Sequence, residues 1–138
     1  MTQENKDLLI KDLCKRLPYG VVIQTWYNKR INIKCVGVNV YTNVVELDIP
    51  EDDEAKVYID NVKPYLFPLS SMTDEQKKTY NWLKHSVFVC HYEYGDVVEE
   101  IELYDSPESF EYLIENHFDV NGLIEKGLAI DATNKNIY

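Results

Sequence analysis

The residues best suited to coordination chemistry are His85, Cys90 and His91. Imidazole and thiolate are zinc ligands, but a zinc site needs three or four of them converging on one point. The periodicity predicts a helix over residues 74–93, with Tyr80, Leu83, Val87 and Tyr94 near helical spacing. On it, Cys90 and His91 would stand about 140° and about 240° around the axis from His85, at about 100° per residue. They do not share a face. No CxxC and no HExxH pattern occurs. The acids Glu51, Asp52, Asp53 and Glu54 could attract a cation but lack the alternating ligand spacing of a calcium loop. The sequence therefore implies no metal.

His117 is the candidate for proton transfer, because Glu115 and Asp119 flank it and a carboxylate can orient an imidazole base. A base also needs a pocket, for which the sequence gives no sign. A histidine at a helix end has a simpler role as partner of the C-terminal dipole. Ser70 and Ser71 lie beside Pro68 without an obvious base, and read as loop serines. There is no phosphate-binding glycine loop, no dinucleotide fingerprint and no nucleophile elbow. No cofactor and no catalytic residue is implied, and a small enzyme with a site near His117 is the second reading.

Charge is the more informative feature. Between Lys84 and Lys126 there is no Lys or Arg, yet eleven acids occur, from Glu93 to Glu125. Such a segment repels phosphate and attracts cations. The net charge of −10 extends the same bias to the whole chain. Direct binding of nucleic acid or anionic lipid is disfavoured, and a nucleic-acid mimic that fills a basic groove is a third reading. The candidate interaction surface is Glu99, Glu100, Glu102 and Tyr104. They lie on a predicted strand over 97–104, where Glu100, Glu102 and Tyr104 share one face and Glu99 falls on the other.

These residues need elements to hold them. Residues 5–16 read as a helix, with Leu8, Leu9, Leu13 and Cys14 inward and Lys6, Lys11, Lys15 and Arg16 toward water. Pro18 and Gly20 end it. Residues 20–60 then alternate with period two, broken by turn signals at Asn28-Lys29, Thr42-Asn43 and 50–54. This predicts a meander of short antiparallel strands that can curl toward a small barrel. Residues 61–69, with Pro64 and Pro68 around Tyr65, Leu66 and Phe67, read as a partly buried connector.

Thr73-Asp74-Glu75-Gln76 is a capping-box start for the helix over 74–93. The competing reading is a hairpin of strands 87–93 and 97–104 about Gly95-Asp96, which Val87-Phe88-Val89 favours by propensity. Ser106-Pro107-Glu108 opens a third helix over 107–117. Phe110, Leu113, Ile114 and Phe118 line one side of it, with Leu123 and Leu128 expected in the same core. Residues 123–126 suggest a further helical turn stopped by Gly127, and 128–130 looks extended.

Length and composition bound the rest. The chain of 138 residues is 45% hydrophobic, which suits a single domain with a real core. The expected class is α+β: a sheet from the N-terminal half packed with about three helices. No apolar run approaches membrane-spanning length, and the N-terminus has no signal-peptide pattern. Three dispersed cysteines, Cys14, Cys35 and Cys90, suit free thiols in a reducing compartment, which points to the cytoplasm.

Three segments carry a resemblance. They are residues 13–20 with Leu17-Pro18-Tyr19-Gly20, residues 62–73, and His117-Phe118-Asp119 followed by residues 122–131. Together they cover about a third of the chain. They resemble a family of small uncharacterised proteins of gut Bacteroides-type bacteria and their phages. Relatives in that family often carry Tyr-Arg where this chain has Val120-Asn121, so an aromatic-basic pair is lost here. The family has no assigned activity, and no residue role is carried over. The resemblance implies a phage or prophage accessory protein inside a bacterium, with another protein as partner. The leading reading is a non-enzymatic protein-binding module.

Overall fold

Thr2 caps the first helix, α1 (Gln3–Arg16), by accepting a hydrogen bond from the Asn5 amide at 3.2 Å. The computed structural model describes residues 1–28 and 30–138, so Lys29 of the Asn28-Lys29 turn signal lies outside the described residues. α1 buries Leu9, Ile10 and Leu13. Lys11 and Lys15 are exposed as expected, but Arg16 is not: it is fully buried, paired with the equally buried Asp12 one turn earlier. An i,i+4 carboxylate neutralises it, and so it goes inward.

The strands are β1 (Val22–Tyr27), β2 (Arg30–Asn39), β3 (Val44–Leu47), β4 (Lys56–Tyr58) and β5 (Lys63–Leu66). With the late strand β8 (Ile130–Asp131) they form one sheet in the order β4-β3-β2-β1-β5-β8. All neighbours run antiparallel except β5 and β8. The meander over 20–60 is thus present, and the fold class is α+β.

The connection from β4 to β5 requires the sheet to coil. These strands lie four positions apart, about 19 Å in a flat sheet at about 4.8 Å per step. Only Ile59, Asp60, Asn61 and Val62 join them, and the first three are wound into a 3₁₀ turn. Five residue steps reach about 17 Å at full extension, and less when wound. The sheet therefore bends its β4 and β5 sides toward each other, although it does not close. Its concave side holds Ile23, Ile33, Cys35, Val45, Leu47 and Leu66 with Leu9 and Leu13 of α1.

β5 falls where a connector was expected. All of Pro64, Tyr65 and Leu66 are buried, so no period-two pattern appears in the sequence. Pro64 pairs with Ile23 of β1, and the β8 ladder starts one residue later at Tyr65, so a missing N–H is tolerated. Residues 123–126 form a turn rather than a helix. Asp119 organises it, its carboxylate accepting from the Leu123 and Ile124 amides at 2.9 Å each.

The chain gathers into two units, Met1–Ser71 with Ile114–Tyr138, and Met72–Leu113. The second contains α2 (Asp74–Leu83) and a hairpin of β6 (His85–Glu93) and β7 (Asp96–Tyr104). The capping box at Thr73 and Gln76 forms in both directions. The helix ends at Leu83, however, and the hairpin replaces its expected second half. β-Branched and aromatic residues at 87–92 outweigh the helical spacing. Tyr94 and Gly95 both take positive φ, 49° and 85°, the conformation of a two-residue hairpin turn.

α3 (Pro107–Glu115) starts at Ser106, whose hydroxyl accepts from the Ser109 amide at 3.0 Å. It stops two residues short of the expected end. His117 is left-handed, with φ 63°, and its amide donates back to the Ile114 carbonyl. Leu113, Ile114 and Phe118 are buried, while Phe110 is half-buried. Leu123 and Leu128 are buried in the sheet core instead of forming one cluster with those residues.

Candidate functional site

The expected interaction surface lies on β7, and register decides which of its residues act together. Glu100 stands opposite Val89, Glu102 opposite Val87 and Tyr104 opposite His85, all on one face of the hairpin. The Tyr104 hydroxyl donates to the Glu102 carboxylate, and this hydrogen bond raises the Tyr104 pKa, with the Glu102 charge adding to it. Glu99 pairs with Cys90 on the other face, as alternation requires. The four residues therefore divide between two faces, three against one.

The second face is apolar. Its cross-strand pairs are Ser86 with Leu103, Phe88 with Ile101, Cys90 with Glu99 and Tyr92 with Val97. Phe88 is 62% exposed and Ile101 69% exposed, and neither strand holds a buried residue. A two-stranded hairpin in water is marginal unless a third strand or a packed face supports it. Exposed, contiguous apolar side chains on such an element mark an interaction surface. Nothing in the helix reading of 85–93 could reveal this face, because it exists only in strand alternation.

The hairpin also separates the metal candidates. His85 and His91 share a face, and Cys90 lies on the opposite one. Among the described residues no group of three or more His, Cys, Asp or Glu could hold a metal.

A second concentration of chemistry surrounds Arg16. Its Nε donates to Asp12 Oδ2 at 2.7 Å, and its Nη2 donates to Asp12 Oδ1 at 3.2 Å and to the Phe118 carbonyl at 2.7 Å. Asn121 Nδ2 donates to Asp12 Oδ1 at 2.9 Å. Thus Asn121 serves as a donor to a buried carboxylate. The spacing of Asp12 and Arg16 was available in the sequence as a signal for the pair. Its fully buried setting was not.

His117 is next to this knot. Its ring stacks on Tyr138, centroids 3.6 Å apart and planes 9° from parallel. Burial, reinforced by the Arg16 charge, pushes its pKa down to about 4. Its Nδ1 is buried without a hydrogen-bond partner. Asp119, one of the two carboxylates expected to orient it, is engaged with the Leu123 and Ile124 amides, and Glu115 is exposed. The imidazole is neutral near pH 7 and packed under Tyr138, an arrangement that suits a structural residue. The Tyr138 hydroxyl donates to the Tyr65 carbonyl at 2.7 Å and accepts from the Val22 amide at 3.0 Å, tying the last residue to two strands.

Among the described residues no helix is long and apolar enough to cross a membrane. No family model matches the chain, and neither a curated protein nor a solved structure shows significant similarity to it.

Proposed function

We propose that the protein is a non-enzymatic binding module whose β6–β7 hairpin docks onto a basic segment of another protein. The observation that carries this reading is the exposed apolar face of the hairpin, with Phe88, Tyr92, Val97, Ile101 and Leu103 on one side of two nine-residue strands. Charge selects the kind of partner. The two strands hold Glu93, Asp96, Glu99, Glu100 and Glu102 and no Lys or Arg. Glu99 stands on the apolar face and the other four on the opposite one, but the field of so thin an element is negative on both sides, so a second copy would be repelled. A partner with Lys or Arg beside an apolar patch is complementary on both counts. The cytoplasm of a bacterium that carries a phage or prophage is the setting that goes with this proposal.

The test begins with affinity capture from the lysate of a Bacteroides-type bacterium. The captured protein is then identified, purified and titrated against the wild type and the Phe88→Ser/Ile101→Ser variant. Both side chains are exposed, so the variant should keep its fold and lose affinity by about tenfold or more. Equal affinity of the two proteins would remove the hairpin face from the interface. An acidic or uncharged binding surface on the captured protein would contradict the choice of partner.

A further inference from the structure

We infer that a cleft at the end of the β1–β2 hairpin, in the unit that does not contain β6 and β7, binds a neutral pyranose sugar. The cleft follows from a defect in the ladder. Gln24 pairs with Asn32 and Tyr27 with Arg30, so Thr25 and Trp26 stand together opposite Ile31 alone. This is a β-bulge, a device that re-aims a side chain and is enriched next to binding sites. All three bulge residues line one open cleft of about 360 Å³, with Asp60, Asn61 and Lys63 from the 3₁₀ turn and the start of β5. That volume lies at the small end of ligand sites, about 300–1,000 Å³.

Two features of the bulge are unexplained by folding. Trp26 is 69% exposed, although an indole is the largest apolar side chain available to a core. Thr25 is only 5% exposed, and its Oγ1 is buried with no hydrogen-bond partner in the protein. Buried hydroxyls are normally paired, and this one belongs to a residue of the cleft wall that faces the core side of β1 with Ile23, so the exposed Trp26 is the feature that faces a ligand.

The lining selects the ligand class. An exposed indole presents a negative π-face, which attracts the weakly positive C–H groups on the flat side of a sugar ring. The polar residues that line the cleft with Trp26 are Gln24, Asn61, Asp60 and Lys63, two amides, a carboxylate and an ammonium. Hydroxyls on the rim of a pyranose both donate and accept, as this mixed set requires. The lining itself holds one acid and one base, and Lys6 pairs with Asp60 at 3.5 Å, so no more than a single positive charge is left over. A phosphorylated or nucleic-acid ligand lacks the cluster of cations it would need. A second aromatic side chain to sandwich a flat heterocycle is not among the lining residues.

The test uses the Trp82→Phe protein, so that Trp26 is the sole indole. Trp82 is 87% exposed on α2, and its replacement leaves the cleft intact. Glucose, galactose, N-acetylglucosamine and adenosine are titrated separately, with Trp26 emission and backbone amide shifts as readouts. At least one sugar should saturate the emission change, with amide shifts centred on Gln24, Thr25 and Asn61. Trp26→Ala should weaken that binding by about tenfold or more, with unchanged folding by circular dichroism. No saturable response to any of the three sugars overturns the inference. So does binding of adenosine alone, or a sugar response indifferent to Trp26→Ala.

Discussion

Asp12 and Arg16 form a fully buried ion pair, and such pairs are best judged by what happens when one member is removed. The guanidinium left behind has Phe118 as its acceptor and a buried Nη1 with no partner already. Asp12→Ala should destabilise the protein by about 3–5 kcal/mol in a denaturant melt, the range for an orphaned buried charge. An apolar double replacement, Asp12→Leu with Arg16→Met, should recover most of that loss. A single variant that melts like the wild type would show the pair to be solvated in solution. His117 gives a second prediction at this scale. Its folded pKa, about 4, lies below the ordinary value of 6.5, so between these values the unfolded chain binds more protons. Stability must therefore fall as pH is lowered from about 6.5 to about 4, and be fully present above that window. His117→Asn keeps a residue tolerant of positive φ and removes the titrating ring. The difference in stability between the two proteins should shrink across the window, and a His117 ring resonance titrating near 6.5 would contradict the burial argument.

At the scale of elements, the sequence and the structure agree where patterning is one-sided. α1, the capping box of α2 and the cap of α3 are legible because a buried stripe and a capping hydroxyl leave marks at fixed spacing. The meander is legible because β1 to β3 bury alternate residues. β5 is not, since Pro64, Tyr65 and Leu66 are all buried and read as a connector between prolines. The second half of the helix expected over 74–93 fails for the opposite reason. β6 has no buried residue to impose a period, so Val87, which continues the helical spacing of Tyr80 and Leu83 in α2, does so by a coincidence of composition. The candidate surface was half legible: the acids of β7 were visible, and their apolar counterpart across Phe88 and Ile101 required the register. The Thr25-Trp26 bulge left no sequence signal at all, since a one-residue slip does not alter alternation enough to read. The hairpin's lack of buried side chains has a dynamic consequence. Amides of β6 and β7 should exchange with solvent much faster than those of β1, β2 and β5, which lie within the larger sheet. Equal protection in hydrogen-exchange mass spectrometry would mean the hairpin is already covered in the free protein.

The whole molecule carries a net charge of −10, and its hairpin contributes acids without a single Lys or Arg. Long-range repulsion keeps like-charged copies apart and steers cationic surfaces inward. The same field predicts that the protein leaves the mobility of duplex DNA and of RNA unchanged at physiological salt, because too few cations cluster to release counterions. The central claim, that the hairpin docks onto a basic protein segment, joins this field to the apolar face. It is tested most directly by measuring the affinity of the captured partner for the wild type and for Glu100→Lys/Glu102→Lys across a series of salt concentrations. Glu100 is exposed and Glu102 half-buried on the face of β7 opposite the apolar anchors, so the change reverses the hairpin's field and leaves Phe88 and Ile101 in place. The expected result is binding by the wild type that weakens with added salt, and binding by the variant that is at least about tenfold weaker at low salt. Equal affinities with no salt dependence would contradict the claim and leave the acids as a solubilising surface.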